Sequence, residues 1–219
     1  MTIFDKTNTS AMETDRKWVI VRIDGKIAAI STDYRLLASI TAGLAADFRT
    51  HKSHNKAGRA RQRADRGPAH KEITAVTVGF EDIWRLRQEV GWEDLILYGT
   101  DFQKAVWRKL WELTHQQEAR LISYSDFAGL CSNRAGVRAV AHAIGLNPVS
   151  VVIPCHLVIP KESIDKIRSI HEKAEATIFK GDDLCINSIL SDSSIDFGEY
   201  SLGRELKRKL ILKEMDEKE

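Results

Sequence analysis

Cys155 and His156 stand side by side within NPVSVVIPCHLVIP, the stretch from Asn147 to Pro160. Three of the chain's four prolines, Pro148, Pro154 and Pro160, fall inside it. A thiolate is a strong, soft nucleophile, but a free thiol is mostly protonated at neutral pH and needs a base or a positive surrounding. His156 is the candidate base. Neighbours in an extended chain point to opposite faces, so a bent backbone or a bridging water must link the two side chains. Pro154 fixes φ just before the cysteine and removes a backbone donor, which holds the thiol in place. The alternative is a buried, inert cysteine beside an ordinary histidine.

A carboxylate far downstream could complete the set. YSLGRELKRKLILKE, Tyr200 to Glu214, reads as an amphipathic helix with Leu206, Leu210 and Ile211 inward. Glu214 follows Leu210 by four residues and Ile211 by three, so it shares their face. A carboxylate there is costly unless paired, and an imidazole would pair it, giving a Cys-His-Glu relay. The alternative is a frayed helix end with Glu214 in solvent.

Several elements must position these groups. WVIVRIDGKIAAIST, Trp18 to Thr32, reads as a β-hairpin about Asp24-Gly25. Helical spacing of Leu36, Ile40, Leu44 and Phe48 follows, and EITAVTVGF, Glu72 to Phe80, reads as a further strand. Between them, Arg49 to Lys71 holds eight Lys/Arg and one Asp. This segment reads as a solvated loop or a nucleic-acid-facing arm, and it lacks the interleaved aromatics that stack on bases.

The spacing then predicts a helix over Thr100–Leu113, with Thr100 as N-cap, Gln103 completing a capping box, and a stripe of Phe102, Val106, Leu110 and Leu113. Ser123 can cap a short helix that begins at Tyr124, with Asp126 at the third position. A second short helix has an apolar face of Val137, Val140, Ala141 and Ile144, and Gly145 as its stop. Two short helices about a tight turn, residues 123–146, outline a helix-turn-helix. The second helix is unusually rich in small residues, which suits close approach to a groove or an ordinary core. VSVVI, after Pro148, reads as a buried strand.

The expected organisation is a loose N-terminus over 1–15, an α/β subdomain over 16–97 and a mostly helical domain over 98–219. The 219 residues carry a formal net charge of +2 and a sequence pI near 8.4, which decides little about partners. No apolar run is long enough to span a membrane, and the first residues lack the apolar core of a signal peptide, so the cytoplasm is the expected compartment. Three cysteines without paired spacing argue against a disulfide framework and a cysteine-rich metal site, and leave room for a reactive thiol.

NPVSVVIPCHLV resembles the active-site signature of the O6-alkylguanine-DNA alkyltransferases (methylated-DNA–protein-cysteine methyltransferases). GTDFQKAVWRKL, ISYSDFAGL, RAVAHAIGLNP and YSLGRELKRKLILKE are similar to that family's first catalytic-domain helix, its helix-turn-helix, and its closing loop and helix. The resemblance covers most of Gly99–Glu214. It implies a small antiparallel sheet plus helix, ribonuclease-H-like, followed by a winged-helix-like catalytic domain. It implies repair of double-stranded DNA by a monomer without cofactor or metal, and no membrane partner. An O6-alkylguanine would be flipped through the minor groove into a pocket, and its alkyl group moved irreversibly to the protein.

In that pattern Cys155 matches the acceptor, His156 the base acting through water, and Glu214 the carboxylate that orients it. Asn147 matches the brace of the active-site turn, and Tyr124 the hydroxyl donor to the purine. Arg138 matches the finger that fills the vacated base stack, with Ala139 and Ala141 on the minor-groove face. Val158 matches a backbone acceptor for the guanine amino group, and Ser201 a loop residue near O6.

There are departures. Leu157 stands where the family has arginine, Ser150 replaces a frequent proline, and residues 161–199 contain an insertion of some thirty residues with a helix-like start. The insertion either reshapes the pocket or packs away from it. Three rival readings remain: a catalytically impaired alkylated-base binder of the same fold, a helix-turn-helix regulator, and a cysteine hydrolase.

Overall fold

The computed structural model describes residues 17–32, 72–115, 121–175, 189, 192 and 194–216. The helix expected over 33–48, the basic segment 49–71 and the N-terminus 1–15 lie outside the described residues. The chain divides into two compact units, one of Met1–Gly99 with Pro148–Val152, the other of Thr100–Asn147 with Ile153–Glu219.

The first unit holds a small antiparallel sheet. Strand β1 (Trp18–Ile23) lies between β2 (Lys26–Ser31) and β3 (Ile73–Val78). Asp24 at φ 49° and Gly25 at φ 80° both take the left-handed turn that closes the β1–β2 hairpin. Asn, Asp and Gly reach that region most readily, which is why an Asp-Gly pair sits there. The turn is tied to the start of β3: Glu72 N donates to Asp24 Oδ1 at 3.0 Å, and Asp24 N donates to the Glu72 carbonyl at 2.9 Å. Helix α1 (Phe80–Glu89) follows, with Phe80 ringed by Trp18 and Trp84 at centroid distances of 6.1 and 5.7 Å.

The VSVVI run is buried throughout but is not a regular strand. Val149 pairs with Ile30 through one parallel bridge, Ile30 N donating to the Pro148 carbonyl and Ser150 N to the Ile30 carbonyl. Val151 then turns at φ 75°. Pro148 and Pro154 lack N–H donors, so a longer ladder has nothing to build with at either end.

The second unit is mostly helical. Helix α2 (Asp101–His115) starts on a capping box: Gln103 N donates to Thr100 Oγ1 at 3.2 Å, and Thr100 N donates to Gln103 Oε1 at 2.8 Å. Its buried side is Val106, Trp107, Leu110 and Leu113, whereas Phe102, expected on that stripe, is exposed. Trp107 takes part because its Nε1 donates to the Ala143 carbonyl at 2.8 Å, which satisfies a buried indole.

Strand β4 (Ile122–Ser123) leads directly into α3 (Tyr124–Leu130). Ser123 Oγ accepts from Asp126 N at 3.0 Å, which caps the helix and sets Tyr124 at its first position. Helix α4 (Val137–Gly145) buries Val140, Ala143 and Ile144, while Val137 and Ala141 are only half-buried. Strand β5 (Val158–Ile159) runs parallel to β4, Ile122 opposite Val158.

The insertion begins as helix α5 (Lys161–Glu175). It is not surface decoration. Ile167 from α5 joins Ile159, Ile189, Ile195, Phe197 and Ile211 in one buried cluster. The return leg is latched to α5 by Ser163 Oγ, which donates to the Asp196 carbonyl at 2.6 Å, and by Lys166 Nζ, which donates to the Ser194 carbonyl at 2.7 Å. From the other side Arg208 donates to the Ile189 carbonyl at 3.1 Å. Helix α6 (Arg204–Asp216) closes the unit.

Candidate active site

Beyond Pro154 the backbone tightens into a single 3-10 turn over Cys155–Leu157. That bend removes the opposite-face geometry of an extended Cys-His pair. Cys155 is 4 % exposed and His156 is fully buried. Asn147, at the end of α4, donates from Nδ2 to the Ile153 carbonyl at 2.8 Å and to Cys155 Sγ at 3.0 Å. Leu157 is 1 % exposed, so this site of an expected arginine is filled by an aliphatic side chain in the core.

His156 Nε2 lies 2.9 Å from Glu214 Oε1. Glu214 is itself buried on the apolar face of α6, with Leu206, Leu210 and Ile211. Burial pushes the Cys155 thiol up from its ordinary value; the Asn147 hydrogen bond, the Lys207 charge and the Tyr200 hydroxyl pull it down.

Cys155 lines a cavity of about 350 Å³. Tyr124 from α3 and Ala141, Ile144 and Gly145 from α4 form one part of its wall, and Glu199–Ser201 another. Tyr124 and Ser201, both expected at the substrate, therefore share this cavity with the cysteine. Ala141 lines it, while Arg138 and Ala139 lie exposed on α4. Val158 is fully buried, and its carbonyl already accepts from Lys207 Nζ at 2.7 Å.

Lys207 is the residue sequence reasoning missed. It is 1 % exposed, and its Nζ also lies 3.4 Å from both Tyr124 Oη and the Glu199 carbonyl. Burial pushes its ammonium down to about 8, against the pull of Cys155, Asp196 and Glu199. The signal was available: Lys207 precedes Leu210 by three residues, Ile211 by four and Glu214 by seven, so it falls on the same stripe. Tyr124 is shifted the other way, raised first by burial and then by the charges of Cys155, Asp196 and Glu199. Among the described residues, no cluster of three or more His, Cys, Asp or Glu side chains is placed to hold a metal ion.

Cys155, its neighbours and the two short helices lie largely within the segment that is similar to a known family. Residues 101–176 match the family model described as 6-O-methylguanine DNA methyltransferase, DNA binding domain. Over this segment the chain is similar to that family's DNA-binding domain, and its sequence resembles the O6-alkylguanine-DNA alkyltransferases.

Individual relatives agree. A probable methylated-DNA–protein-cysteine methyltransferase of Acanthamoeba polyphaga mimivirus is 41% identical over 70 residues, 32% of this chain and 45% of the relative. The inducible methylated-DNA–protein-cysteine methyltransferase of Bacillus subtilis is 51% identical over 63 residues, 29% of this chain and 34% of the relative. The chain thus spans less than half the length of these curated relatives. Among solved structures, the O6-methylguanine methyltransferase of Mycobacterium tuberculosis matches at 27% identity and TM-score 0.36, over 57% of this chain and 54% of that one. The O6-methylguanine-DNA methyltransferase of Pyrococcus kodakaraensis matches at 20% identity and TM-score 0.44, over 92% and 93%.

Proposed function

We propose that the protein repairs DNA by direct reversal, moving the alkyl group of an O6-alkylguanine irreversibly onto its own Cys155. The observation that carries this reading is the shared cavity: Cys155 and Tyr124 line one wall-bounded space of about 350 Å³, within the range that suits a small-molecule site. Behind the cysteine, His156 is backed by Glu214 at 2.9 Å.

In the proposed reaction His156 takes the thiol proton through water. The thiolate attacks the carbon attached to O6, forming a carbon–sulfur bond as the carbon–oxygen bond breaks. The electron pair stays on the purine, and Tyr124 offers its hydroxyl proton there. Asn147 holds the sulfur. Arg138 fills the gap in the base stack while Ala139 and Ala141 face the minor groove, and Ser201 contacts the base, whereas the Val158 carbonyl, engaged by Lys207 and outside the cavity wall, is not available to it. The thioether has no route to hydrolysis, so one chain repairs one lesion. The finer fold that goes with this reading is a ribonuclease-H-like first subdomain and a winged-helix-like second. The working form is a monomer in the cytoplasm, and no helix among the described residues is long and apolar enough to cross a membrane.

The test is intact-protein mass after incubation with a duplex carrying one O6-methylguanine. The expected result is one methyl group on Cys155, absent in Cys155→Ala and never exceeding one per chain. Turnover beyond one would indicate a hydrolase-like enzyme. Lesion binding without mass gain would indicate an impaired base binder, and no preference for the lesion a helix-turn-helix regulator.

A further inference from the structure

A buried ammonium needs a reason. Lys207 is 1 % exposed and sits in α6 between Leu206 and Leu210, where an apolar side chain would pack at less cost. Its three donors are directed at the Val158 carbonyl (2.7 Å), the Glu199 carbonyl (3.4 Å) and Tyr124 Oη (3.4 Å). Two of these acceptors are main-chain atoms, so they fix where the ammonium stands. The third is the hydroxyl that lines the cavity. The ammonium also lies 5.6 Å from the centre of the Tyr124 ring.

The surroundings are built around that placement. Gly198 takes φ +79°, and a side chain there would meet the Pro160 ring at 3.2 Å and Lys207 Nζ at 3.6 Å. Glycine therefore lets the return leg of the insertion close over the lysine. The charged and titratable groups that act on Lys207 are Cys155 on the 3-10 turn and Asp196 and Glu199 on the return leg, with Tyr124 of α3 in reach. Glu199 is itself paired with Arg204, which directs its carboxylate away from sole reliance on Lys207.

We propose that Lys207 is a positioning residue of the transfer reaction: its buried ammonium holds the Tyr124 hydroxyl as proton donor to the departing base and returns the proton that Tyr124 gives up. This rests on the reading of the previous subsection. The balance is simple. The thiolate forms its bond to the alkyl carbon, the carbon–O6 bond breaks, and the purine takes the electron pair. Tyr124 gives its proton to the purine, and Lys207 gives one to Tyr124. One negative and one positive charge enter the step, and a thioether, a neutral base, a neutral tyrosine and a neutral lysine leave it. The lysine suits the task because burial pushes it down to about 8, so it is charged at neutral pH yet can part with its proton.

The experiment compares two alkyl donors on the same sulfur. One is a duplex with a single O6-methylguanine, whose leaving base needs a proton. The other is iodoacetamide, whose leaving iodide needs none. Labelling of Cys155 is read by peptide mass spectrometry, which separates it from the other cysteines. Lys207→Met should slow transfer from DNA by about a hundredfold more than it slows iodoacetamide labelling. Combining it with Tyr124→Phe should add little further loss on DNA. Equal slowing on both reagents, or additive losses, would overturn the proposal.

Should Lys207→Met fail to fold, the wild-type protein alone still decides. Transfer from DNA should fall as pH rises through about 8, while iodoacetamide labelling keeps rising. Parallel profiles would overturn the role of Lys207. A wild-type protein that takes up iodoacetamide but never methyl from the duplex would overturn instead the repair reading on which it rests.

Discussion

One amide nitrogen of Asn147 reaches both the Ile153 carbonyl at 2.8 Å and the Cys155 sulfur at 3.0 Å. It fixes the turn and the Cys155 sulfur through a single side chain. Asn147→Ala should therefore cost about 1–3 kcal/mol in denaturant unfolding, because it leaves a buried carbonyl short of a donor. It should also change the thiol. This hydrogen bond is the first of the influences that pull Cys155 down against burial. Without it, the rise of iodoacetamide labelling of Cys155 with pH should move to higher pH. An unmoved profile would show that the amide braces the turn alone.

Lys207 gives a stability signature with a definite sign. Its value in the fold is about 8, below the ordinary 10.5. Below pH 8 it is charged in both folded and unfolded chains, and the burial cost is present in full. Above that, the folded lysine sheds its proton before the unfolded one does, so stability rises toward pH 10.5. The raised Cys155 thiol works in the opposite direction at alkaline pH, so the comparison belongs in a Cys155→Ala background. There the protein should gain up to about 1 kcal/mol between pH 8 and pH 9 by urea titration. The same background with Lys207→Met should show no such gain.

Arg138 stands exposed on α4, outside the cavity wall, while Ala141 of the same helix lines it. A residue that acts on the base stack matters only when there is a stack. Arg138→Ala should slow methyl transfer from duplex DNA by roughly tenfold or more while sparing transfer from free O6-benzylguanine. Equal losses on both substrates would sink the finger role.

The insertion can be tested as core. Ile167→Ala should destabilise the protein by about 2–5 kcal/mol, since Ile167 is buried among Ile159, Ile195, Phe197 and Ile211. Phe102→Ala, at an exposed position of α2, should stay within about 0.5 kcal/mol. Thermal or urea unfolding of the two variants side by side decides whether α5 is structural or ornamental.

Local signals were legible where the chain bends on local chemistry. Asp24-Gly25 announces its hairpin because few other pairs take two left-handed residues in a row. Thr100 and Gln103 announce α2, and Ser123 announces α3, because a capping side chain and its target lie three residues apart. The stripe through Leu206, Leu210, Ile211 and Glu214 announces the inner face of α6. What escaped depended on distant partners. The VSVVI run looks like a strand by composition, yet its pairing is limited by prolines on both sides and by the turn at Val151. Trp107 entered the core in place of Phe102 because the Ala143 carbonyl, 36 residues away, accepts its N–H. Lys207 shares the stripe with Glu214, but a lysine among leucines reads as a side chain bound for solvent until its three acceptors are known.

The return leg of the insertion is gripped through its backbone. Ser163, Lys166, Lys207 and Arg208 donate to the carbonyls of Asp196, Ser194, Glu199 and Ile189. Main-chain carbonyls are the same whatever side chain follows them. The path of the leg can thus persist while residues along it change, and the chain keeps a stretch of cavity wall whose chemistry is open to selection or redesign without refounding the fold.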